Sequence, residues 1–273
     1  MAEVAVAEPL AVYRSGPQEG IPLLLLHAFP FDAQLWEQVD MRMPDVPAVL
    51  VDAPGFGDSP AFGLVAAAVG RSPNSSIDTY ADAVVASLLR EGIERAVVVG
   101  HSMGGYVALS LAERYEHLVA GLGLIDTKAS ADDEEGVANR LRIADEAEES
   151  GAKAVAPMVK KLLGKTTQSM HPELVAEVRG LLAAAPAEGI SWAQRAMARR
   201  PDRLEVLKGL EVPALVLRGS EDELSSQEAA EEMAAALKDC ELEVVPEVGH
   251  LSVLEDPDAV TAAVHRLWER SQV

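Results

Sequence analysis

The chain has a single cysteine, Cys240, in 273 residues. An internal disulfide framework is therefore excluded, and the usage fits a reducing compartment. Positive charge is also scarce. Lys and Arg total 23 against 44 Asp and Glu, a formal net charge of −21. A phosphate surface would repel such a chain, which argues against nucleic acid and anionic membranes as partners. No run approaches the ~18 consecutive apolar residues of a membrane span. The first eight residues, Met1 to Glu8, hold no basic segment and no long apolar stretch, so no signal peptide is expected and the cytoplasm is the expected location. The histidines and the lone cysteine have no metal-ligand spacing. Gly55-Phe56-Gly57 is not part of a dinucleotide fingerprint. Neither a metal nor a cofactor is expected.

Apolar residues are plentiful at 49%, and the length suits one large α/β domain or a core with an insertion. Short apolar runs at 23–26, 48–51, 96–99, 118–125 and 214–217, together with Leu242-Glu243-Val244-Val245, read as strands. Helical patterns over about 78–90, 103–112, 226–237 and 257–269 alternate with them. Such alternation predicts a mostly parallel sheet with helices on both faces. Residues 61–76 read as a loop. Residues 127–209 break the alternation. Val155, Met158, Val159, Leu162 and Leu163 recur at helical spacing, as do Leu174, Val178, Leu181 and Leu182, with prolines between them. We expect a helical cap at 127–209, inserted into a core of 1–126 and 210–273. A helical bundle packed elsewhere is the alternative.

Ser102 stands in Gly100-His101-Ser102-Met103-Gly104, straight after Ala96-Val97-Val98-Val99. A Gly-x-Ser-x-Gly between a buried strand and a helix has the form of a nucleophile elbow. The sharp turn exposes the serine at the cost of strained backbone angles, and the flanking glycines remove Cβ atoms that would clash. The bare pattern occurs by chance in roughly one such chain in ten, so its context matters. A serine acting only as a helix N-cap is the plainer alternative.

A serine hydroxyl needs a base, and the base needs an orienting acid. His250 and Asp222 both follow strands, in Gly249-His250-Leu251 and Gly219-Ser220-Glu221-Asp222. They should therefore share an edge of the sheet with Ser102. Asp126 and Glu221 are rival acids. The Met103 and Phe29 backbone N–H groups are the expected oxyanion donors; Pro30 has no N–H to offer. His27 should bond the loop backbone, and His101 should be structural. Trp36, Tyr106, Met158 and Trp192 are candidate pocket residues, with core packing as their alternative. Arg195 and Arg199, four apart, could hold a substrate carboxylate or lie on a solvated helix face.

These motifs, together with His27-Ala28-Phe29-Pro30, Asp52-Ala53-Pro54-Gly55-Phe56-Gly57-Asp58-Ser59 and Glu255-Asp256-Pro257, resemble the α/β-hydrolase fold over nearly the whole chain. Ala28 departs from the glycine usual there, which bears on the Phe29 loop. The serine separates the chain from haloalkane dehalogenases and epoxide hydrolases, which use aspartate at the elbow. Among relatives it looks most similar to small bacterial esterases, 3-oxoadipate enol-lactonase-like proteins and cofactor-free haloperoxidases. The resemblance implies a Ser-Asp-His hydrolase of a small carboxylic ester or lactone, working through an acyl-enzyme. A cofactor-free perhydrolase and a non-catalytic ligand sensor are the other readings. Oligomeric state is not legible.

Overall fold

A computed structural model describes residues 9–272. The expectation for the N-terminal leader concerns residues 1–8, and those lie outside the described residues. Seven strands form one sheet: β1 (Val12–Ser15), β2 (Leu23–Leu26), β3 (Ala48–Val51), β4 (Ala96–His101), β5 (Val119–Ile125), β6 (Ala214–Gly219) and β7 (Cys240–Val245). Their spatial order is β1-β3-β2-β4-β5-β6-β7. β1 pairs antiparallel to β3, and every other pairing is parallel. Every residue of β2, β3, β4, β5 and β6 is buried. Their near-continuous apolar runs are what a parallel strand covered on both faces requires.

The covering helices are Ile77–Arg90, Met103–Arg114, Gln227–Ala236 and Pro257–Arg270. Their starts are written locally. Ser76 accepts the Asp78 N–H, and Asp256 accepts the Ala259 N–H ahead of Pro257 in the first turn. This part agrees with the sequence reading. Two elements do not. β1 is an unforeseen edge strand. Within 61–76, Phe62–Ala68 is a helix that buries Phe62, Val65 and Ala66.

Between β5 and β6 the described chain is helical or irregular throughout. Its main helices are Glu134–Ser150, Pro172–Ala184 and Ala187–Ala198. The first is capped by the Asp133 carboxylate on the Gly136 N–H and ends at Gly151 with φ 62°. The residues at helical spacing from Val155 to Leu163 do not form one continuous helix. Short 3₁₀ turns at Gly151–Ala154 and Ala156–Met158 precede a single turn, Val159–Leu162. Pro157 has no N–H for a helical ladder, which accounts for the break.

Candidate active site

The register of the parallel strands brings their C-terminal ends together. Leu26 of β2, Gly100 of β4 and Leu124 of β5 lie side by side, and the site residues follow just beyond. The chain reverses at Ser102 with φ 53° and ψ −109°. A side chain pays for this angle in strain, so the surroundings must impose it. They do. The Ser102 N–H donates to the Ile125 carbonyl at 2.9 Å, and Thr127 Oγ1 donates to the Ser102 carbonyl at 2.8 Å. A Cβ on Gly104 would lie 2.6 Å from the Leu26 carbonyl carbon and nearer still to its oxygen. One on Gly100 would lie 2.5 Å from the Gly105 nitrogen. Both glycines are needed for close approach of backbone to backbone.

His250 Nε2 is 2.8 Å from Ser102 Oγ, and its Nδ1 is 2.9 Å from Asp222 Oδ2. The tautomer carrying Nδ1–H satisfies both: it donates to Asp222 and leaves Nε2 to accept from the serine. Asp222 is held in turn. Its Oδ1 accepts from the Leu224 N–H at 2.7 Å, and its Oδ2 accepts from Ser225 Oγ at 2.5 Å. Burial by itself would lower the His250 pKa, but the Asp222 charge and hydrogen bond outweigh it and leave it raised above 6.5. Asp222 is buried too, yet His250 and the Ser225 and Leu224 donors keep its carboxyl below the ordinary range.

The rival acids are engaged elsewhere. Asp126 accepts from the Gly219 N–H at 2.8 Å and from Ser252 Oγ at 2.5 Å, tying β5 to β6 and to the His250 loop. Glu221 accepts from the Thr166 N–H and hydroxyl, both at 2.8 Å. His101 Nε2 lies 2.7 Å from the His250 carbonyl, a supporting position rather than a reacting one. His27 bonds the loop backbone on both sides, to the Ala28 carbonyl and the Ala53 N–H. Among the described residues, the N–H groups of Phe29 and Met103 have no protein acceptor. Met103 opens the helix after the turn, where the first N–H groups have no intrahelical partner.

Ser102 and His250 open into a cavity of about 440 Å³ whose wall includes Phe29, Tyr106, Met158 and Leu162. Tyr106 and Met158, two of the candidate pocket residues, line this cavity. Trp36 and Trp192 do not. Trp36 is fully buried beneath the site, its ring edge-on to His101 with centroids 6.2 Å apart. Trp192 faces away from the cavity. Its Nε1–H donates to the Pro54 carbonyl, and its ring stacks on Phe62 at 5.0 Å, fastening the inserted helices to the sheet. Arg195 pairs with Asp145 and Glu148 on the helix surface, outside the cavity, and Arg199 is exposed. The solvated reading of these two arginines is the one that holds.

Several contacts were not read from the sequence. The Leu162 carbonyl accepts the N–H groups of both His250 and Leu251, at 3.1 and 3.0 Å. Glu255 accepts from Gly249 and Leu251 through one oxygen and from Gly164 through the other. Burial raises its carboxyl, which the backbone donors only partly offset. The segment between β5 and β6 thus holds the His250 loop in place. Backbone acceptors leave no sequence signal, but Glu255, five residues after His250, could have been weighed as a loop anchor. Among the described residues, no group of three or more His, Cys, Asp or Glu side chains is placed to hold a metal ion, and no helix is long and apolar enough to cross a membrane.

A family model described as the alpha/beta hydrolase family matches residues 23–263. Among solved structures, a thermophilic esterase from Thermogutta terrifontis, determined with malate bound, is 32% identical. It matches with a TM-score of 0.88 over 97% of this chain and 94% of its own. A 2-succinyl-6-hydroxy-2,4-cyclohexadiene-1-carboxylate synthase from Serratia proteamaculans is 27% identical over 92% of this chain and 94% of its own length. Lipase LipV of Mycobacterium tuberculosis is 32% identical over a shorter stretch, 45% of this chain and 43% of the lipase.

Proposed function

The chain belongs to the alpha/beta hydrolase family, and we propose that it cleaves a carboxylic ester or lactone through an acyl-enzyme on Ser102. The observation that carries this reading is the relay Ser102 Oγ–His250 Nε2–Asp222, at 2.8 and 2.9 Å, opening on a cavity. In it, Ser102 Oγ attacks the carbonyl carbon while His250 Nε2 takes its proton. Asp222 holds the ring and balances the imidazolium. The Phe29 and Met103 N–H groups receive the oxyanion. The tetrahedral intermediate collapses by breaking the bond to the alkoxy oxygen, and His250 returns the proton to that leaving group. Water then gives its proton to His250 and attacks the acyl carbon. The acid departs and Ser102 regains its hydrogen. No cofactor is needed for any of these steps. Residues 127–209 serve as a cap on the core of 1–126 and 210–273, and they form the cavity wall opposite the serine. An acidic chain without an apolar span suits a cytoplasmic enzyme.

The test is hydrolysis of p-nitrophenyl esters from acetate to octanoate, with lactones alongside, by wild type and Ser102→Ala. Loss of about 10⁴-fold or more in turnover is expected for the variant. Turnover retained by a folded Ser102→Ala protein would overturn the assignment.

A further inference from the structure

We propose that the ester or lactone cleaved at Ser102 carries a carboxylate, which is held by a cationic wall that the inserted segment contributes to the cavity. The inference rests on the hydrolase reading above and names its substrate class. That segment brings four cations to the cavity, Lys128, Arg140, Arg142 and Lys161, and two anions, Asp132 and Glu146, while Asp126 lines it from the other side as a third anion. That is the reverse of the chain as a whole, in which acids outnumber bases 44 to 23.

The pairing on the wall leaves positive charge in excess. Glu146 is taken by Arg142 at 2.8 Å. Asp132 is shared by three cations: Lys128 at 2.9 Å, Arg140 at 2.5 Å, and the buried Arg200 from the row behind at 2.6 Å. The Arg200 guanidinium lies 4.0 Å from the centre of the Tyr106 ring, itself part of the cavity wall. Among the described residues, Arg200 Nε has no hydrogen-bond partner, and Lys161 is an exposed cation on the cavity rim. With Asp126 counted, the lining still holds one more cation than anions, and Asp222 faces His250 rather than this wall.

Three cations, the half-buried Lys128 and Arg140 and the buried Arg200, share the single Asp132 carboxylate and are under-compensated by it, and an anion entering from solvent relieves that cost. Arginine pairs especially well with a planar carboxylate. Apolar side chains, among them Ile143, Leu162 and Met197, line the same cavity. Such a lining suits the carbon chain that would separate the carboxylate from the scissile carbonyl.

The test has two arms. Calorimetry compares binding of glutarate and its neutral diamide, glutaramide, to wild type and to Ser102→Ala, in the absence of turnover. Kinetics compares mono-p-nitrophenyl glutarate with p-nitrophenyl valerate, and 4-acetoxybenzoate with phenyl acetate, after subtraction of spontaneous hydrolysis. The ester pairs put the charge on the acyl and the alcohol side respectively. We expect glutarate to bind at least tenfold more tightly than glutaramide. The charged member of at least one ester pair should have the higher kcat/KM by a similar factor. Lys161→Gln and Lys128→Gln should each reduce that preference about threefold or more. Turnover of the neutral esters with no preference for charge in either arm would overturn the inference and leave the hydrolase reading standing. Tight glutarate binding with no hydrolysis of any ester would overturn the hydrolase reading and the substrate inference with it, and would leave only a carboxylate-binding site.

Discussion

Replacing Gly104 by alanine puts one methyl group where the structure has no room for it. The new Cβ would lie 2.6 Å from the carbonyl carbon and 2.9 Å from the Cβ of Leu26, the last residue of β2. Ordinary contact between carbon atoms is about 3.5 Å, so roughly 1 Å of relative movement is required. Neither side can give cheaply. Leu26 is hydrogen-bonded within the central sheet between β3 and β4, and Gly104 is in the first turn of the helix that fixes Ser102. Overpacking of this kind costs about 1–3 kcal/mol. A 1 Å displacement of the serine would separately cost about 100-fold in rate. The control is Gly180→Ala, on an exposed face of Pro172–Ala184 with nothing within 4 Å of the added methyl. Alanine there should stabilise by about 0.8–1 kcal/mol. Thermal unfolding and p-nitrophenyl ester turnover of both variants provide the readouts. A Gly104→Ala protein with wild-type melting temperature and wild-type kcat would refute the close-approach argument.

Asp222→Asn should lower kcat about 10³- to 10⁴-fold, as expected when the base loses its orienting carboxylate. Because Asp222 raises the His250 pKa above 6.5, and the base works only when neutral, the acid limb of wild-type kcat/KM should lie above that pH. In the variant the limb should shift to lower pH; an unmoved limb in the pH–rate profile would count against the pairing. Asp132→Ala should destabilise by about 3–5 kcal/mol, since it strands Lys128, Arg140 and the buried Arg200 without a counter-charge. Burial alone would raise the Asp132 carboxyl, but Arg200, Arg140 and Lys128 hold it well below its ordinary 3.8. A depressed carboxyl contributes stability above its unfolded pKa and loses it as the pH falls. The gap in melting temperature between wild type and variant should therefore hold from pH 8 to 6 and narrow below about pH 4.

What could be read in advance was what short sequence spacing encodes. Five of the seven strands are apolar runs because both faces are covered, and parallel pairing places all their C-terminal ends at one edge. Ser102 and Asp222 each follow such a run within a few residues, and His250 follows β7, a partly exposed strand parallel to β6, so the topology brings the three together. The edge strand β1 was missed because its residues are only half-buried or exposed and show no apolar run. The helix Phe62–Ala68 was missed because seven residues give too few turns for a period to show.

Six of the seven strands and the strained turn at Ser102 follow from local residue order, because each depends on residue types within about ten positions. Local order does not specify which side chains meet across the segment between β5 and β6. Trp36 and Trp192 carry the same aromatic signal as Tyr106, yet one fills the core and the other fastens the inserted helices to Pro54 and Phe62. Asp132 is 68 residues from Arg200 along the chain and 2.6 Å from it in space. The direction of a side chain and the company of a charge are set by packing between distant segments, and no local pattern records them.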